Sequence, residues 1–324
     1  MIETTDLLRE AVLREALNGL MVPAGEQKTL SPWLFYDERG SHLFEQITAV
    51  PEYYLTRTER AIFGAHADDI FLELGAEVTI AELGAGTAAK TGLLLDAATR
   101  FQERVLYQPI DVSATALDEA AAHLVREIPG IRVAPQVANY VTDTFSLTRP
   151  EGHRILALYI GSSIGNFSPV EATGVLRNLR DHLEAGDSLL LGTDLAPGRT
   201  KTVSMLEAAY DDAAGVTAAF NKNVLVRLNR ELDADFKVER FAHRAVWNEG
   251  ESRMEMHLES LDAQTVHIEG ERVAFAEGET IHTENSYKFT AGALEKLFRS
   301  AGFVPRRVWN DEGGRFAVTL ASAV

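Results

Sequence analysis

The chain has 324 residues, which is long for one domain and short for three. Its 46% hydrophobic and 24% charged residues are typical of a folded protein and exclude a disordered one. A formal net charge of -17 argues against an extended nucleic-acid-binding face, which is normally basic. The absence of cysteine excludes disulfides, thiolate zinc sites and cysteine nucleophiles.

The N-terminal residues carry no recognisable targeting signal. Residues 1–6 are acidic and lack the basic and apolar regions of a signal peptide. No apolar stretch reaches the roughly 20 residues that a membrane helix needs. We therefore expect a cytoplasmic protein that binds neither a membrane nor nucleic acid, and we take a monomer as the starting hypothesis.

The first 70 residues contain two different patterns. Leucines and valines at helical spacing predict an amphipathic helix over residues 6–20. Residues 31–57 combine many aromatic side chains with helix breakers, namely Trp33, Phe35, Tyr36, Phe44, Tyr53 and Tyr54 beside Pro32, Gly40 and Pro51. This combination predicts an ordered lid or wall rather than a plain helix. A further helix is predicted at about 57–69.

Residues 78–194 alternate between short apolar runs and helical patterns. The apolar runs, which predict strands, are 78–83, 105–111, 131–137, 154–160 and 188–194. Helical patterns lie between them, running through Leu93 to Ala98 and over 114–127 and 168–184. Strands that alternate with helices and are almost continuously apolar predict a parallel sheet covered on both faces.

The pattern changes after Asp194. Residues 201–232 are predicted to be helical, and residues 236–277 alternate with period two, which indicates an antiparallel insertion. The alternation puts two sets of side chains on opposite faces of one strand: Met254, Met256 and Leu258 on one, Glu255, His257 and Glu259 on the other. A helix over 290–301 and strands over 304–309 and 316–320 then close the chain with a hairpin.

A glycine loop, Glu82-Leu83-Gly84-Ala85-Gly86-Thr87, follows the first strand of the alternating part. Glycines between a strand and a helix let the backbone approach a ligand at the carboxyl edge of the sheet. The spacing Gly84-x-Gly86-x-x-Ala89 also satisfies the permissive dinucleotide pattern, so by itself it is weak evidence. A tight turn without a ligand is the alternative interpretation.

Two carboxylates favour S-adenosylmethionine as the ligand of this loop. Glu82 directly precedes the glycines, where an acidic residue commonly supports the methionine end of that cofactor. Asp111 ends the second strand, from which a carboxylate can bind the two ribose hydroxyls. A nicotinamide cofactor remains as the alternative ligand.

Three further residues are candidates for cofactor contacts. Lys90, in the first turn after the loop, could reach the cofactor carboxylate, and it fits a solvated helix lysine equally well. Asn139 and Tyr140 follow the third strand, where an amide and an aromatic ring could contact adenine. On spacing alone, a simple turn explains this pair at least as well.

These patterns together predict an α/β fold with a doubly wound, Rossmann-like methyltransferase core and an inserted α+β substrate domain. The core is predicted to comprise residues 61–194 and 287–324. The substrate domain is predicted to comprise residues 1–60 and 195–286.

Several segments of the chain resemble one family, the histidine-specific N-methyltransferases that make hercynine in ergothioneine biosynthesis. The segments that carry this resemblance run from near residue 30 to near residue 290: 35–41 (FYDERGS), 51–57 (PEYYLTR), 159–167 (YIGSSIGNF), 209–212 (AYDD), 220–221 (FN) and 283–289 (TENSYKF). They are far more specific than the glycine loop. The wider group also contains enzymes that methylate other amines, including an indole-alkaloid precursor.

The resemblance implies an α-amino acid substrate, held between the sheet domain and the insertion. It assigns the substrate carboxylate to Asn166 and Tyr210, a further contact to Tyr53, and the imidazole to Glu284 and Ser286. A methionine of the insertion lines the pocket, and Met256 is preferred over Met254. The cofactor positions implied by the resemblance are Gly84, Lys90, Asp111, Asn139 and Tyr140. Family members often have Asp-Phe where this chain has Asn139-Tyr140, a change that keeps polarity and aromaticity.

The chemistry implied is three successive methyl transfers from S-adenosylmethionine to the α-amino group of L-histidine, without a metal. Tyr36 is the candidate catalytic residue, because the resemblance puts it near the amino group. The reference pKa of an α-amino group in a peptide is about 7.7–8.0, from which we expect that no strong base is required. Three alternatives are kept: methylation of another amino acid or aromatic amine, a nicotinamide-dependent oxidoreductase, and a cofactor-binding partner protein without turnover.

Overall fold

The computed structural model describes residues 2–86, 88, 90–141, 143 and 145–324. The chain divides into two compact units. The insertion unit contains the residues up to Tyr54 together with Thr202–Ser286, and the sheet unit contains Leu55–Lys201 and Tyr287–Val324. The predicted boundary after residue 60 falls inside a helix that is continuous from Leu55 to Leu74.

The helices and strands are numbered here in chain order. The α-helices of the described residues are α1 (Ile2–Leu20), α2 (Glu38–Ala49), α3 (Leu55–Leu74), α4 (Gly92–Phe101), α5 (Ala114–Glu127), α6 (Pro169–Asp181), α7 (Val203–Tyr210), α8 (Val216–Leu232) and α9 (Ala291–Ser300). The strands are β1 (Lys28–Thr29), β2 (Val78–Leu83), β3 (Val105–Asp111), β4 (Ile131–Val133), β5 (Gln136–Val137), β6 (Arg154–Tyr159), β7 (Ser188–Asp194), β8 (Phe241–Asn248), β9 (Arg253–Ser260), β10 (Gln264–Ile268), β11 (Glu271–Phe275), β12 (Thr280–Tyr287), β13 (Phe303–Asn310) and β14 (Phe316–Ala323).

The sheet unit is built on one sheet with the strand order β13-β14-β7-β6-β2-β3-β4. Strands β2, β3, β4, β6 and β7 pair in parallel, whereas β14 runs antiparallel to both β7 and β13. The chain moves outward from β2 to β3 and β4, then crosses back to β6 on the other side of β2. This reversal makes the carboxyl ends of β2 and β6 the topological switch point, where such folds bind ligands. The α/β, doubly wound fold is therefore confirmed.

Helices cover both faces of this sheet, because its strands are apolar on both sides. One core cluster joins side chains of α3, α4 and α5 to the strands, including Phe63, Leu94 and Leu124. The other joins α6 and α9 to the opposite face, including Leu176 and Phe298. The central strands β2 and β7 are buried along their whole length.

The insertion unit contains a second sheet with the order β1-β12-β9-β8 and a separate β10-β11 hairpin. Strands β8 and β9 pair antiparallel, and β1 pairs with β12 in parallel. The alternation predicted for residues 254–259 is confirmed, since Met254, Met256 and Leu258 are buried and their neighbours are half-buried. Helices α7 and α8 pack on this sheet.

The structure corrects three predicted elements. The aromatic segment contains the 12-residue helix α2, so the expectation of a lid or wall rather than a plain helix was wrong there. Asp37 caps the N-terminus of this helix by accepting a 2.7 Å hydrogen bond from Gly40 N. The predicted helix 201–232 is two helices, because Gly215 adopts φ +74° before α8. The predicted strand 131–137 is interrupted at Pro135, which has no N–H to donate.

Candidate functional site

The glycine loop leaves β2 at the switch point and turns through two left-handed residues. Gly84 has φ +67° and Gly86 φ +50°, a region that favours glycine. The N–H of Gly84 donates to Ile110 O at 2.8 Å, which fastens the loop to the end of β3. A Cβ on Gly86 would enter open space, so the backbone is accessible to a ligand there. Thr87 and Ala89 of the predicted motif lie outside the described residues.

Asp111 ends β3 and points its carboxylate at this loop. One oxygen accepts from the N–H of Gly86 at 2.9 Å, and the other accepts from the N–H of Ser113 at 2.9 Å. The side chain is half-buried and still reaches solvent. A carboxylate held in this way beside a glycine loop fits a ribose diol, which donates two hydroxyl groups.

The segment after β5 brings Tyr140 against the glycine loop. A Cβ on Gly84 would lie 3.4 Å from the Tyr140 ring, so a residue larger than glycine would crowd that ring. Tyr159 donates to the Tyr140 hydroxyl at 3.3 Å. Asn139 holds the turn, because its side-chain oxygen accepts from Val141 N at 3.0 Å.

Glu82 lies directly under the glycine loop and is completely buried. Both of its oxygens accept from the Thr91 hydroxyl, at 2.9 and 2.7 Å, and Tyr107 donates to Oε2. Burial raises the pKa of Glu82 to about 7, although the bonds from Tyr107 and Thr91 act to lower it. This carboxyl group therefore ties β2 to β3 and to the start of α4.

The raised pKa of Glu82 makes a pH-dependent contribution to stability. A carboxyl group whose pKa is higher in the folded state binds its proton more tightly there, so stability falls as pH rises from the unfolded value of 4.5 to about 7. We expect the Glu82→Gln variant to lack this fall. As the pH rises through this range, its free energy of unfolding should increase relative to that of the wild type by about 1.4 kcal/mol for each unit by which the pKa of Glu82 is raised. Urea unfolding of both proteins at about pH 5 and about pH 8 measures the difference. A wild-type-minus-variant difference that does not change with pH would contradict it.

Glu59 is a buried carboxylate at the switch point that the sequence analysis did not identify. It lies on α3, accepts from Gly161 N at 2.8 and 3.0 Å, and binds Lys90 Nζ at 2.5 Å. A Cβ on Gly192 would overlap its carboxylate. Glu59 shares the apolar stripe of its helix with Ile62 at i+3 and Phe63 at i+4. An acidic residue inside such a stripe was the available signal. Lys90 is thus paired with Glu59.

Asn166 ends a 3-10 helix, Ser163–Asn166, that follows β6 in the sheet unit. A Cβ on Gly165 would lie 2.8 Å from Tyr287 O, so this turn packs tightly against the start of the C-terminal part of the unit. Ser162 begins the turn with φ +58°, and its hydroxyl accepts from Asp194 N at 2.9 Å. The half-buried Asn166 is therefore held on a rigid turn at the carboxyl end of β6.

The other predicted substrate residues lie in the insertion unit, and several of them meet. Tyr210 ends α7, and its hydroxyl lies 2.8 Å from Ser286 Oγ on β12. The Tyr53 and Tyr210 rings pack edge to face at 6.3 Å. Glu284 is half-buried on the same strand as Ser286. Met254 and Met256 are both buried on one face of β9, so the choice between them stays a prediction.

Tyr36 belongs to an aromatic cluster of the insertion unit. The residue is 42% exposed, and its ring lies 5.9 Å from the Phe44 ring and 5.8 Å from the Phe220 ring, with edge-to-face geometry in both pairs. Phe44 and Phe220 are 6.0 Å apart. Tyr36 is therefore an accessible tyrosine that packs on the rings of Phe44 and Phe220.

Three side chains of metal-ligand type come together on the sheet of the insertion unit. The ligand atoms of Glu255, His257 and His282 all lie within 4.8 Å of one another. Glu255 already accepts from Asn248 at 2.8 Å and Arg253 at 2.8 Å, and its other oxygen lies 3.0 Å from His257 Nε2. Burial raises the pKa of Glu255, but these three bonds outweigh it and lower the pKa to about 2. The carboxylate of this cluster therefore already has hydrogen-bond partners within the protein.

A second buried charge cluster, also not identified from the sequence, lies where the insertion leaves and rejoins the sheet unit. Asp194, at the end of β7, binds Lys201 Nζ at 2.6 Å and Lys288 Nζ at 2.9 Å, and all three side chains are buried. Residues 195–201 belong to the sheet unit, in which Leu195 forms a parallel β-bridge with Phe289. Lys201 immediately precedes the inserted segment Thr202–Ser286, and Lys288 follows it.

Comparison with known proteins identifies the family of the chain. Residues 12–323 match the family described as histidine-specific methyltransferase, SAM-dependent. The chain is 42% identical over 318 residues to the histidine N-alpha-methyltransferase of Mycolicibacterium smegmatis, covering 98% of this chain and 96% of that protein.

Two more distant relatives have other names. One is the ergothioneine biosynthesis protein 1 of Neurospora crassa, 27% identical over 94% of this chain and 35% of that protein. The other is a 4-dimethylallyltryptophan N-methyltransferase of Claviceps purpurea, 27% identical over 96% of this chain and 94% of that protein. The family match and the 42% identity both extend over nearly the whole chain. The chain therefore belongs to the family of histidine-specific, S-adenosylmethionine-dependent methyltransferases.

Proposed function

We propose that this chain transfers three methyl groups from S-adenosylmethionine to the α-amino nitrogen of L-histidine. The product is hercynine, and the reaction is a step towards ergothioneine. Family membership supports the reaction class. The observation that carries the choice of histidine is the segment of β12 that contains Glu284 and Ser286 and is bonded to Tyr210 at 2.8 Å. A carboxylate facing imidazole forms a charge-assisted bond that amino acids without a ring N–H cannot provide.

The residues at the switch point fit S-adenosylmethionine. Bound there, this cosubstrate would supply a methyl group on a sulfonium: an N–C bond to the amine would form in line as the S–C bond breaks, with S-adenosylhomocysteine as the leaving group. In our proposal Gly84 and Gly86 allow the backbone to approach the cosubstrate, Asp111 binds its ribose, and Asn139 and Tyr140 bind its adenine. Lys90 and Glu82 support its methionine end, Lys90 from its ion pair with Glu59 and Glu82 from beneath the loop.

The proposed substrate contacts follow the polar groups of an amino acid. Asn166 and Tyr210 bind the carboxylate, with Tyr53 packed against the Tyr210 ring. Glu284 and Ser286 bind the imidazole, and Met256 lines the pocket wall. Methyl transfer needs accurate alignment of the nucleophile, and positioning of this kind can supply much of the rate enhancement.

Tyr36 is the proposed catalytic residue, and its role is modest. The α-amino group of a peptide has a reference pKa of about 7.7–8.0, and the adjacent carboxylate of free histidine raises the pKa of its amine, so the amine must release a proton before it can attack. The Tyr36 hydroxyl can orient the lone pair and pass a proton to water. The methylated product is a fixed cation, which the faces of Tyr36, Phe44 and Tyr53 can stabilise. If Tyr36→Phe and Tyr53→Phe each leave all three methylation steps at wild-type rates, this part of the proposal is wrong.

Incubation with labelled S-adenosylmethionine and a panel of free amino acids tests the function. We expect transfer of three methyl groups to histidine, detected by mass, and far slower transfer to tryptophan and 4-dimethylallyltryptophan. Preference for an indole substrate would favour methylation of another amine. A melting temperature raised by a nicotinamide cofactor and not by S-adenosylmethionine would favour an oxidoreductase. Binding of S-adenosylmethionine without transfer to any amine would indicate a partner protein without turnover.

We further propose that the reaction needs no metal ion. The internal bonds of Glu255 to Asn248, Arg253 and His257 support this, because they already satisfy the carboxylate of the cluster that also contains His282. Enzyme dialysed against EDTA and assayed in metal-free buffer is expected to keep its full rate of histidine methylation. Loss of activity that Zn²⁺ or Mn²⁺ restores would contradict this, and His282→Ala would then identify the binding site.

We propose that the enzyme acts in the cytoplasm on free histidine and its methylated intermediates, as a monomer that binds neither membrane nor nucleic acid. The net charge of -17 supports the last point, because phosphate backbones repel an acidic protein. None of the described helices combines the length and the apolar character that a transmembrane segment requires. Sedimentation of the purified enzyme tests the monomer, and cell fractionation tests the location.

A further inference from the structure

Behind the proposed substrate residues of the insertion unit lies a buried polar network. It connects the end of α7, the middle of α8, and strands β8 and β12. We infer that Asn221, His243 and Thr283 are positioning residues, which close a hydrogen-bonded ring with Tyr210 and Ser286 and so hold the substrate-selecting segment in register with Tyr210. This inference rests on the proposed function, because it assigns these residues to the selection of histidine.

The ring begins at Tyr210, which is fixed at both ends. Its hydroxyl is 2.8 Å from Ser286 Oγ. Its main-chain oxygen belongs to the last turn of α7, where carbonyls have no partner within the helix. His243 Nε2 lies 2.8 Å from this oxygen. A carbonyl can only accept, so the Nε2 atom of His243 must carry the proton.

Asn221 fixes the other side of the same imidazole. Its amide nitrogen lies 2.8 Å from His243 Nδ1 and 3.1 Å from the main-chain oxygen of His257. The main-chain oxygen of His257 can only accept, so the Asn221 atom that faces it is the amide nitrogen and not the amide oxygen. The same nitrogen donates to Nδ1 of His243, which therefore accepts. His243 is thus held as the neutral Nε2–H tautomer. Burial also lowers the pKa of His243, which favours the neutral form.

Thr283 closes the ring on β12. Its hydroxyl lies 2.7 Å from Asn221 Oδ1 and 3.0 Å from the main-chain oxygen of Met256, and donates towards both acceptors. Thr283 and Ser286 are three residues apart on one strand, with Glu284 between them. The chain of bonds from Ser286 through Tyr210, His243 and Asn221 therefore returns to the segment from which it started.

A closed and buried ring constrains its members more strongly than separate bonds would. Asn221 is 0% exposed and Thr283 is 1% exposed, so a broken bond there cannot be replaced by water. Bonds in such a low-dielectric network reinforce one another. The proposed imidazole contacts, Glu284 and Ser286, and the proposed carboxylate contact, Tyr210, are consequently held in one geometry. The glycine loop, Asp111 and Tyr140 belong to the other unit, so the ring predicts an effect on histidine and not on S-adenosylmethionine.

Two substitutions with matched controls test the positioning role. Thr283→Val keeps the shape of the side chain and removes its hydroxyl, and Thr283→Ser restores the hydroxyl. Asn221→Ala breaks the ring, whereas Asn229→Ala removes another backbone-bonded asparagine of α8 that is not a member. We expect Thr283→Val and Asn221→Ala to raise the KM for histidine about tenfold or more, with a smaller change in kcat and an unchanged Kd for S-adenosylmethionine. Thr283→Ser and Asn229→Ala should remain near wild type.

Equal increases in KM for Asn221→Ala and Asn229→Ala would show a merely structural role and overturn the inference, as would a wild-type KM for Thr283→Val. A measurement that does not depend on folding of the variants uses ¹⁵N-labelled histidine in the wild-type protein. We expect the nitrogen shifts of His243 to report a protonated Nε2 and an unprotonated Nδ1, assigned by their loss in His243→Gln. The opposite tautomer would overturn the inference. A wild-type enzyme that does not methylate histidine would instead refute the proposed function, and the tautomer would still test the ring.

Discussion

Replacing Asp194 by alanine is expected to lower the free energy of unfolding by about 3–5 kcal/mol, because it removes the carboxylate shared by two buried lysines. Asp194 lies 2.6 Å from Lys201 Nζ and 2.9 Å from Lys288 Nζ, and none of the three side chains is more than marginally exposed. Without this carboxylate, both ammonium groups lose a close opposite charge in a medium that solvates ions poorly. Urea unfolding followed by circular dichroism measures the loss.

The matched control for Asp194→Ala is Lys288→Met. It removes one ammonium group and leaves Asp194 paired with Lys201, so a clearly smaller loss is expected. Burial lowers the pKa of Lys201 to about 8, although Asp194 acts to raise it. A lysine already so poorly solvated depends strongly on its carboxylate partner. Equal losses in the two variants would contradict the central role of Asp194.

The position of this cluster gives Asp194→Ala a second expected effect. Phe289 N donates to Asp194 O at 3.0 Å, and Ala196 N donates to Phe289 O at 2.9 Å, so the two connections to the inserted segment are bonded to each other here. Hydrogen exchange of these two amides is expected to accelerate more than exchange in β2 and β3. Uniform acceleration over the sheet would instead indicate a global loss of stability.

Removing the Glu284 side chain is expected to abolish most of the preference for histidine. A hydrogen bond to a charged group contributes about 1.5–3 kcal/mol, so kcat/KM for histidine should fall about 10- to 150-fold in Glu284→Ala. The value for tryptophan should change little, because its indole stays neutral and cannot form the ion-paired hydrogen bond with this carboxylate that a protonated imidazole can form. The measurement is kcat/KM for both amino acids under saturating S-adenosylmethionine. Retained preference for histidine over tryptophan would refute the assignment of Glu284.

Two further variants separate the role of Glu284 from general effects on its sheet. Glu284→Gln keeps an oxygen that can accept from a ring N–H, so it should recover part of the activity lost in the alanine variant. Glu259→Ala removes another half-buried carboxylate of the same sheet, which is bound by Arg244 at 2.5 Å. Its kinetic constants should stay near wild type. A similar loss in Glu259→Ala would attribute the effect to the sheet.

Much of the sheet unit could be predicted from the sequence because its signals are local. The strands Val78–Leu83, Val105–Asp111 and Ser188–Asp194 and the helix Ala114–Glu127 have the predicted bounds, since apolar runs and helical periodicity extend over a few residues. The interruptions were harder to predict. Pro135 and Gly215 each end an element that the surrounding pattern would continue.

The aromatic segment shows why composition can mislead about secondary structure. Gly40 lies inside helix α2, where close approach to Phe35 O leaves no room for a Cβ, and the Asp37 cap stabilises the first turn. Gly40 therefore allows close packing against the main chain of Phe35 and does not break the helix. Crowded aromatics in this segment then build the cluster of Tyr36, Phe44 and Phe220.

What the sequence by itself determined is the α/β order of the sheet unit, the glycine loop with Asp111 at the next strand end, and the segments that carry the family resemblance. Each depends on residues close together in the chain. Only the tertiary structure decided the partners of the buried polar groups. Glu59 meets Gly161 N and Lys90, Asp194 meets Lys201 and Lys288, and the ring joins Tyr210 to Asn221, His243 and Thr283. Most of these partners are far apart in sequence, and burial is what makes their bonds obligatory, so no local period encodes them.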